Sequence, residues 1–284
     1  MNKLPLAKRT QVVSALMEGV GVNATARLTG ISKPTILKLV ADLGCVCAAF
    51  HDRHVRNVKA KRIQCDEIWT FNYCKDAKVA MAKAAPACAG STWTWTAIEA
   101  QSKLMISWLV ADRTGESALA FIQDMASRIV DRPQITTDGL ASYVAAIDEI
   151  FGIDVDFAQL IKVYGEAPEG TPERKYSPPA CTGCYGKRIT CRPDARHVST
   201  SYVESHNQKI RQQNRRFTRL SAGHSKKIEN HVHHLAIYFV FYNFARVHSS
   251  LRMSPAMAAG IESRLWEIED IVKLLDGEEM AKTA

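Results

Sequence analysis

The sequence contains no run of 18 apolar residues, and its N-terminus lacks the apolar stretch that forms the core of a signal peptide. The most apolar stretch, LAIYFVFYNF at 235–244, is too short to span a bilayer and is typical of a buried helix. Eight cysteines without a secretory signal indicate reduced thiols rather than disulfides. We therefore expect a soluble, cytoplasmic protein with no membrane partner.

Acidic residues are scarce in two parts of the chain. Residues 1–62 contain 11 lysines and arginines against three acidic residues, and residues 187–227 contain 11 against two. The formal net charge of the whole chain is only +8, so the remaining residues are acidic on balance. Two basic blocks on an acidic body indicate a polyanionic partner such as nucleic acid, although two solvated surfaces would give the same composition.

The residues between 6 and 42 predict three short helices. Gly30 separates the second from the third, and Ser32 is a suitable N-cap for the third. A short helix, a glycine turn and a capped helix form the helix-turn-helix arrangement, so we predict a DNA-binding domain of this kind at 1–45. The alternative is a small helical bundle without that role. The residues expected to face DNA are Lys33, Thr35 and Lys38.

After a predicted basic linker at 46–62, strands and helices alternate along the chain. The strands are predicted at 63–74, 91–99, 104–111, 134–137 and 153–158, and the helices near 115–130, 140–150, 200–219, 224–245 and 261–275. The region at about 160–198 lacks periodicity and is interpreted as an insertion. This order predicts an α/β fold with a mixed sheet flanked by helices at 63–250, followed by a helical tail at 251–284.

Three acidic residues occupy distinctive places in this order. Asp66 lies in the middle of the first strand, Asp138 follows the fourth strand, and Glu204 lies in the first turn of a late helix. If the first and fourth strands are neighbours, these three carboxylates can converge. On an alternating strand Asp66 and Glu67 point to opposite faces, so only one of them is expected in the site. The ordinary alternatives are an edge-strand acid, an Asp-Gly turn and a capping box that begins at Ser201.

Converging carboxylates stay ionised only if a cation lies between them. Oxygen ligands with room for water suit Mg²⁺ or Mn²⁺, and two such ions commonly promote displacement at a phosphodiester. Along the helix that begins near Glu204, Gln208, Arg211 and Arg215 follow at spacings of four, three and four residues. We predict that Arg211 and Arg215 bind a phosphate backbone on the same helix face as the carboxylate.

The stretch CTGCYGKRITC contains cysteines at a spacing that is partly typical of zinc ligands. Together with a nearby histidine, the cysteines would complete a tetrahedral structural zinc site. There is no second CxxC pair, and the spacing differs from that of a standard zinc finger, so we disfavour this interpretation. The four residues concerned are Cys181, Cys184, Cys191 and His197.

The stretches CDEIWTF, TTDGLASY and STSYVESHNQKIRQQNRRFTRL, with YNFARVHSSLRMSPAMAAGI downstream, resemble the DDE transposases of bacterial insertion sequences, most closely the insertion sequence 1 type. The resemblance covers about 63–260. It implies an RNase H-like catalytic core in which Asp66, Asp138 and Glu204 are catalytic metal ligands. It also implies cleavage and strand transfer at inverted-repeat ends, double-stranded DNA as terminal and target substrate, and a homodimer or larger synaptic assembly.

Two other functions are compatible with the same residues. An RNase H-like nuclease would use the same metal ions to hydrolyse DNA without joining ends. A transcription regulator would bind DNA through the helix-turn-helix and would carry an inactive core. The presence of all three acidic residues favours an enzyme over the regulator.

Overall fold

The computed structural model describes residues 4–165, 180–218 and 222–283. The helices are α1 (Leu6–Met17), α2 (Val22–Thr29), α3 (Lys33–His54), α4 (Gly115–Ala126), α5 (Ser142–Phe151), α6 (Ser201–Gln213), α7 (Ile228–Val240), α8 (Pro255–Ala258) and α9 (Ile268–Thr283). The strands are β1 (Arg62–Asn72), β2 (Gly90–Glu99), β3 (Met105–Ala111), β4 (Gln134–Thr137), β5 (Asp156–Tyr164) and β6 (Cys181–Thr190). A π-helical turn, Phe241–Ala245, continues α7.

The strands form one mixed sheet in the order β3-β2-β1-β4-β5-β6. Strands β1, β2 and β3 are successively antiparallel, β4 and β5 run parallel to β1, and β6 is antiparallel to β5. Helix α6 packs on β1 and β2, and α4 packs beside β3. The predicted α/β fold, with a mixed sheet flanked by helices and an N-terminal helical region, is therefore confirmed, and the first and fourth strands are neighbours as expected.

The N-terminal helices follow the predicted helix, turn and helix order. Gly30 ends α2 with a φ of 71°, a left-handed conformation that glycine adopts without strain. The side chain of Ser32 then caps α3 by accepting a hydrogen bond from the backbone N–H of Thr35 at 3.4 Å. The predicted linker at 46–62 is wrong for residues 46–54, because α3 continues to His54 with Phe50 on its buried side.

Helix α3 joins the N-terminal helices to the rest of the protein. Its closest approach is to α7 at Gly44, where a Cβ atom would lie 2.4 Å from the Cβ of His233. By length and composition alone α3 is apolar enough to cross a membrane, but its buried side packs on α7 and α9. One hydrophobic core therefore runs from the N-terminal helices through the sheet to the C-terminal helices.

The predicted insertion at about 160–198 contains regular structure in its described part. Its first residues belong to β5, and β6 pairs with β5 from Phe157 opposite Thr190 to Tyr164 opposite Cys181. The region lacks a clear period because β6 is an edge strand that is exposed on both faces over most of its length. Residues 166–179 of the predicted insertion lie outside the described residues.

Two polar contacts tie the C-terminal helices to distant parts of the chain. The buried amide of Asn243, in the π-helical turn, accepts a hydrogen bond from the backbone N–H of Met105 and donates one to its carbonyl, both at 2.9 Å. Arg9 of α1 forms a two-pronged ion pair with Asp276 of α9 at 2.8 and 3.0 Å. The tail predicted at 251–284 is helical at α8 and α9, although its last helix begins at Ile268 rather than near 261.

Candidate active site

The carboxylates of Asp66 and Asp138 meet on neighbouring strands. The parallel pairing of β1 with β4 places Gln64 opposite Thr136, and two further steps along the same register bring Asp66 level with Asp138. Carboxylate oxygens of Asp66, Glu67 and Asp138 all lie within 4.8 Å of one another. Among the residues that the structure describes, these three form the one group of acidic, cysteine or histidine side chains that lie close enough together to hold a metal ion.

Glu67 is part of this group, which corrects the expectation that only one of the two adjacent acids enters the site. Its side chain is 1% exposed and forms an ion pair with Arg113 at 3.1 Å. The same guanidinium lies 3.5 Å from a carboxylate oxygen of Asp138. Asp138 lies one residue beyond the end of β4. At that level β4 no longer pairs with β1, so side chains that point to either face of β1 can reach Asp138.

Burial and the repulsion of nearby carboxylates disfavour the ionised forms of Asp66 and Glu67. Burial, and next the charge of Asp138, raise the pKa of Asp66 to about 7. The same two causes, in the same order, raise the pKa of Glu67 to about 7. A divalent cation would reverse both shifts by attracting the ionised oxygens, so these donors fit a hard, oxygen-preferring metal ion.

Glu204 lies outside the group of three and already has a cationic partner. Its Oε1 lies 2.7 Å from the Nζ of Lys162 on β5, and it also accepts a hydrogen bond from the Thr200 hydroxyl. Its charge still contributes to the raised pKa of Asp66, so the two carboxylates share one electrostatic environment. Glu204 does not form the capping box with Ser201, because Thr200 is the N-cap residue and Ser201 is the first residue of α6.

Helix α6 is positioned over Asp66 by two side chains that the sequence did not single out. Gln64, buried in β1, accepts hydrogen bonds from the backbone N–H groups of Tyr202 and Val203 at 2.8 and 3.1 Å. One turn further along α6, Asn207 donates to Oδ2 of Asp66 at 2.9 Å. The position of Asn207, three residues after Glu204, was a usable signal because residues three apart share a helix face. Gln64 offered no comparable signal.

The predicted DNA-facing residues at the start of α3 are exposed. Lys33, Thr35 and Lys38 lie on its first two turns. Lys38 is also paired with Asp42 at 2.5 Å, and the Thr35 hydroxyl lies 2.8 Å from that of Ser32. All three side chains are therefore accessible from solvent.

The predicted basic face of α6 is only partly formed. Arg211 is in the last turn of the helix and donates a hydrogen bond to the carbonyl of Trp69 at 3.3 Å. Arg215 lies outside α6, because the helix ends at Gln213 and Asn214 leaves helical geometry. The continuous spacing through Arg215 expected from the sequence is therefore wrong, although Arg215 remains exposed.

The structure does not gather the four candidate zinc ligands. Cys181 and Cys184 lie exposed on β6, and Cys191 follows the strand, seven residues or roughly 23 Å of extended chain after Cys184. The Cys191 thiol donates to the carbonyl of Ile153, while Nδ1 of His197 lies 2.6 Å from Nη1 of Arg62. These separate contacts leave no tetrahedral arrangement within the described part of the chain.

Comparisons with known proteins give a similarity in structure alone. No protein-family model and no curated protein matches the chain. The piggyBac transposase synaptic complex with hairpin DNA is similar over 98% of this chain and 72% of that chain, with 10% identity and a TM-score of 0.41.

Two complexes of Mos1 are similar over a smaller part of the chain. The Mos1 transposase paired-end complex with the left transposon end is similar over 55% of this chain and 60% of that chain, with 13% identity and a TM-score of 0.25. The Mos1 strand transfer complex is similar over 52% and 56%, with 14% identity and a TM-score of 0.22. At these scores none of the three supports a functional assignment.

Proposed function

We propose that this chain is a DDE-type transposase that cleaves and transfers DNA strands at the ends of an insertion sequence, using Mg²⁺ or Mn²⁺. The observation that carries the proposal is the meeting of Asp66 and Asp138 on adjacent strands, within 4.8 Å and together with Glu67. A half-buried and a buried carboxylate with raised pKa values, Asp66 and Glu67, beside a third acid are unfavourable in a merely structural site. They are favourable if the site holds divalent metal.

The residues of the acidic group and of α6 have distinct proposed roles. Asp66 and Asp138 would hold the metal ions, which activate the attacking oxygen and stabilise the leaving oxygen of a phosphodiester. Asn207 orients the Asp66 carboxylate through its 2.9 Å hydrogen bond. Glu204, one turn earlier on α6, is the third proposed ligand and would have to exchange its contact with Lys162 for the metal.

Arg113 keeps the buried Glu67 charge compensated. Its side chain also stacks over the ring of Trp93, with the guanidinium carbon 4.7 Å from the ring centroid. This contact holds the guanidinium at the edge of the site, between Glu67 and Asp138. Arg113 therefore supports the acidic group without being one of the proposed metal ligands.

DNA binding is proposed for the N-terminal helices and for the basic residues near α6. Lys33, Thr35 and Lys38 would contact the ends of the element, and Arg211 would contact a phosphate close to the acids. Arg215, which lies beside Gly21 of the N-terminal helices, would contact a phosphate further from them. Because two ends must be brought together for transfer, the active species is proposed to be a dimer or a larger assembly.

A strand-transfer reaction tests the proposal. Purified protein would be mixed with a labelled duplex that carries the DNA flanking its own gene, plus a target plasmid, in Mg²⁺ or in EDTA. Wild type should give metal-dependent joined products, and Asp138→Ala should give none. Asp131→Ala, which removes an exposed acid outside the site, is the matched control and should behave as wild type. Cutting without joining would indicate a nuclease, and binding with neither reaction would indicate a regulator.

The same reaction identifies the third acid. Glu204→Gln and Glu67→Gln each replace one carboxylate near Asp66 by a neutral amide of the same size. If Glu204 is the ligand, only Glu204→Gln should abolish both steps at saturating Mg²⁺. The reverse result would assign the third position to Glu67.

A further inference from the structure

A basic cleft separates the N-terminal helices from the segment that precedes α7. Its volume is about 860 Å³. One wall carries Arg27 and Lys33, and the other carries Arg215, Arg216, Lys226 and Lys227. Among the described residues that line the cleft, none is acidic. The cleft therefore presents positive charge from two directions to whatever enters it.

Arg216 is the unusual member of this lining, because its guanidinium is buried and no described residue forms an ion pair with it. The residue is 9% exposed, and its Nη1 donates to the Ser225 hydroxyl at 2.7 Å. Its Nη2 is buried and has no hydrogen-bond partner among the described residues. His234, which also lines the cleft, is buried with both ring nitrogens lacking such partners. Buried donors of this kind are normally satisfied, and a buried cation is normally paired.

The pKa shifts of Arg216 and His234 agree with a buried cation that lacks a nearby carboxylate. Burial lowers the pKa of Arg216 to about 10, with no carboxylate acting against it. Burial, and next the charge of Arg216, lower the pKa of His234 well below its usual value. The described residues that line the cleft supply no negative charge, so the missing partner is expected to come with a ligand.

We propose that this cleft binds a backbone phosphate of duplex DNA, with Arg216 as the deep contact and Arg27 and Lys227 as the outer contacts. A guanidinium presents parallel N–H groups that match two oxygens of a phosphate. Cations on both walls suit a continuous backbone better than one isolated ion. The choice of DNA rests on the proposed function, whereas the anion site rests only on the cleft.

The cleft also has a fixed relationship to the acidic group. Nζ of Lys226 donates to the carbonyl of Tyr73 at 3.2 Å, one residue beyond the end of β1. Tyr73 lies seven residues along the chain from Asp66, which is roughly 23 Å of extended strand or about seven base pairs of duplex. A phosphate in the cleft would therefore hold the DNA at a set distance from the cleavage site.

The outer contacts are tested by salt-dependent binding. Wild type, Arg27→Ala, Lys227→Ala and the double variant would be titrated with a short duplex of arbitrary sequence, in EDTA, over a series of salt concentrations. The slope of log K against log salt should fall by about one for each lost contact. Lys273→Ala removes the same charge from an exposed position on α9 and should keep the wild-type slope. A wild-type slope in the double variant would overturn the proposal.

The deep contact is tested by thermal unfolding. Inorganic phosphate and the same duplex should each raise the melting temperature of wild type, because each would supply the missing counter-ion. Arg216→Met should lose both increases, and its melting temperature without anion should equal or exceed that of wild type. An increase retained in Arg216→Met would overturn the role of Arg216. An increase with phosphate but not with duplex would overturn DNA as the ligand. If Arg216→Met does not fold, the salt series alone decides.

Failure of this inference can be told apart from failure of the proposed function. Asp138→Ala should bind the duplex with the wild-type slope while cleaving nothing. Wild-type slopes in the cleft variants together with normal metal-dependent cleavage would reject the cleft alone. Reduced slopes in a protein that never cleaves DNA would reject the transposase alone.

Discussion

Nζ of Lys162 lies 2.7 Å from Oε1 of Glu204. An ammonium group therefore contacts the carboxylate that is proposed as a metal ligand. The pair joins β5 to the first turn of α6 and is about one-third exposed on both sides. Glu204 is therefore compensated before any metal arrives. Metal binding has to compete with Lys162, and the strength of that competition can be measured.

Lys162→Met should tighten divalent-metal binding. Removing the ammonium leaves the Glu204 charge available, and an exposed pair of this kind is worth up to about 1 kcal/mol, or about fivefold in affinity. Titration with Mn²⁺, following the free ion by electron paramagnetic resonance, gives the affinity. Lys187→Met on exposed β6 is the control and should bind Mn²⁺ as wild type does. Unchanged or weaker binding in Lys162→Met would mean that the lysine does not compete with metal.

Arg113→Ala should destabilise the protein more at about pH 8 than at about pH 5. The folded-state pKa of Glu67 is raised to about 7 from its ordinary 4.5, so the side chain is largely protonated at the lower pH and needs no counter-ion there. At the higher pH its buried charge loses the Arg113 contact, which we expect to cost about 1–3 kcal/mol. Urea unfolding at the two pH values measures both effects. Adding Glu67→Gln to Arg113→Ala should remove the pH dependence, and a cost independent of pH would contradict the role given to Glu67.

Asn207→Ala should shift the pH profile of cleavage. The hydrogen bond from Asn207 lowers the pKa of Asp66, so its loss should move the acidic limb of the rate profile upward by up to about one pH unit. DNA affinity in EDTA should stay unchanged, because Asn207 is buried beneath the site. Ser205→Ala, an exposed neighbour on α6, is the control. A slower reaction with an unshifted profile would assign Asn207 a purely structural role.

His206→Phe should make the protein more resistant to acid. His206 is 2% exposed, packs edge-on against Tyr242 at 4.1 Å, and has its pKa lowered by burial to about 3. The unfolded chain binds a proton near pH 6.5 that the folded chain does not. Stability is therefore full above that pH and falls as the pH drops toward 3, by about 2 kcal/mol at pH 5 for this one histidine.

Phenylalanine keeps the ring and removes that proton uptake. Urea unfolding between about pH 7 and pH 5 should show a shallower loss of stability in His206→Phe than in wild type. His54→Phe makes the same substitution at an exposed position and is the matched control. Equal slopes in wild type and His206→Phe would show that another group drives the acid instability.

The sequence predicted those features that depend on local chemistry or on a strong period. The cap at Ser32, the turn at Gly30 and the strand through Asp66 each follow from a few adjacent residues. The proximity of Asp66 to Asp138 was predicted from the order of strands and helices, because it required only that the first and fourth strands be adjacent in the sheet.

The features that the sequence did not predict depend on tertiary packing. Helix α3 continues past the predicted boundary because α7 covers its second half. No local sequence pattern indicates that contact. Strand β6 is exposed on both faces, so it carries no alternation. In the site, Glu67 joins the acids because Asp138 lies past a strand end, and Lys162 meets Glu204 across about forty residues of chain. These contacts could be read only from the assembled sheet.

The continuous helix α3 sets a length within the molecule. It carries 22 residues from Lys33 to His54, which is about 33 Å, close to one turn of duplex DNA. Gly44 lets α3 lie directly against α7, so the N-terminal helices are joined to the rest of the protein by a close helix contact. If the chain acts as proposed, DNA that reaches both the N-terminal helices and the acids could vary in sequence between them but not in spacing. Base pairs inserted in that interval would rotate and displace the bond presented to the acids.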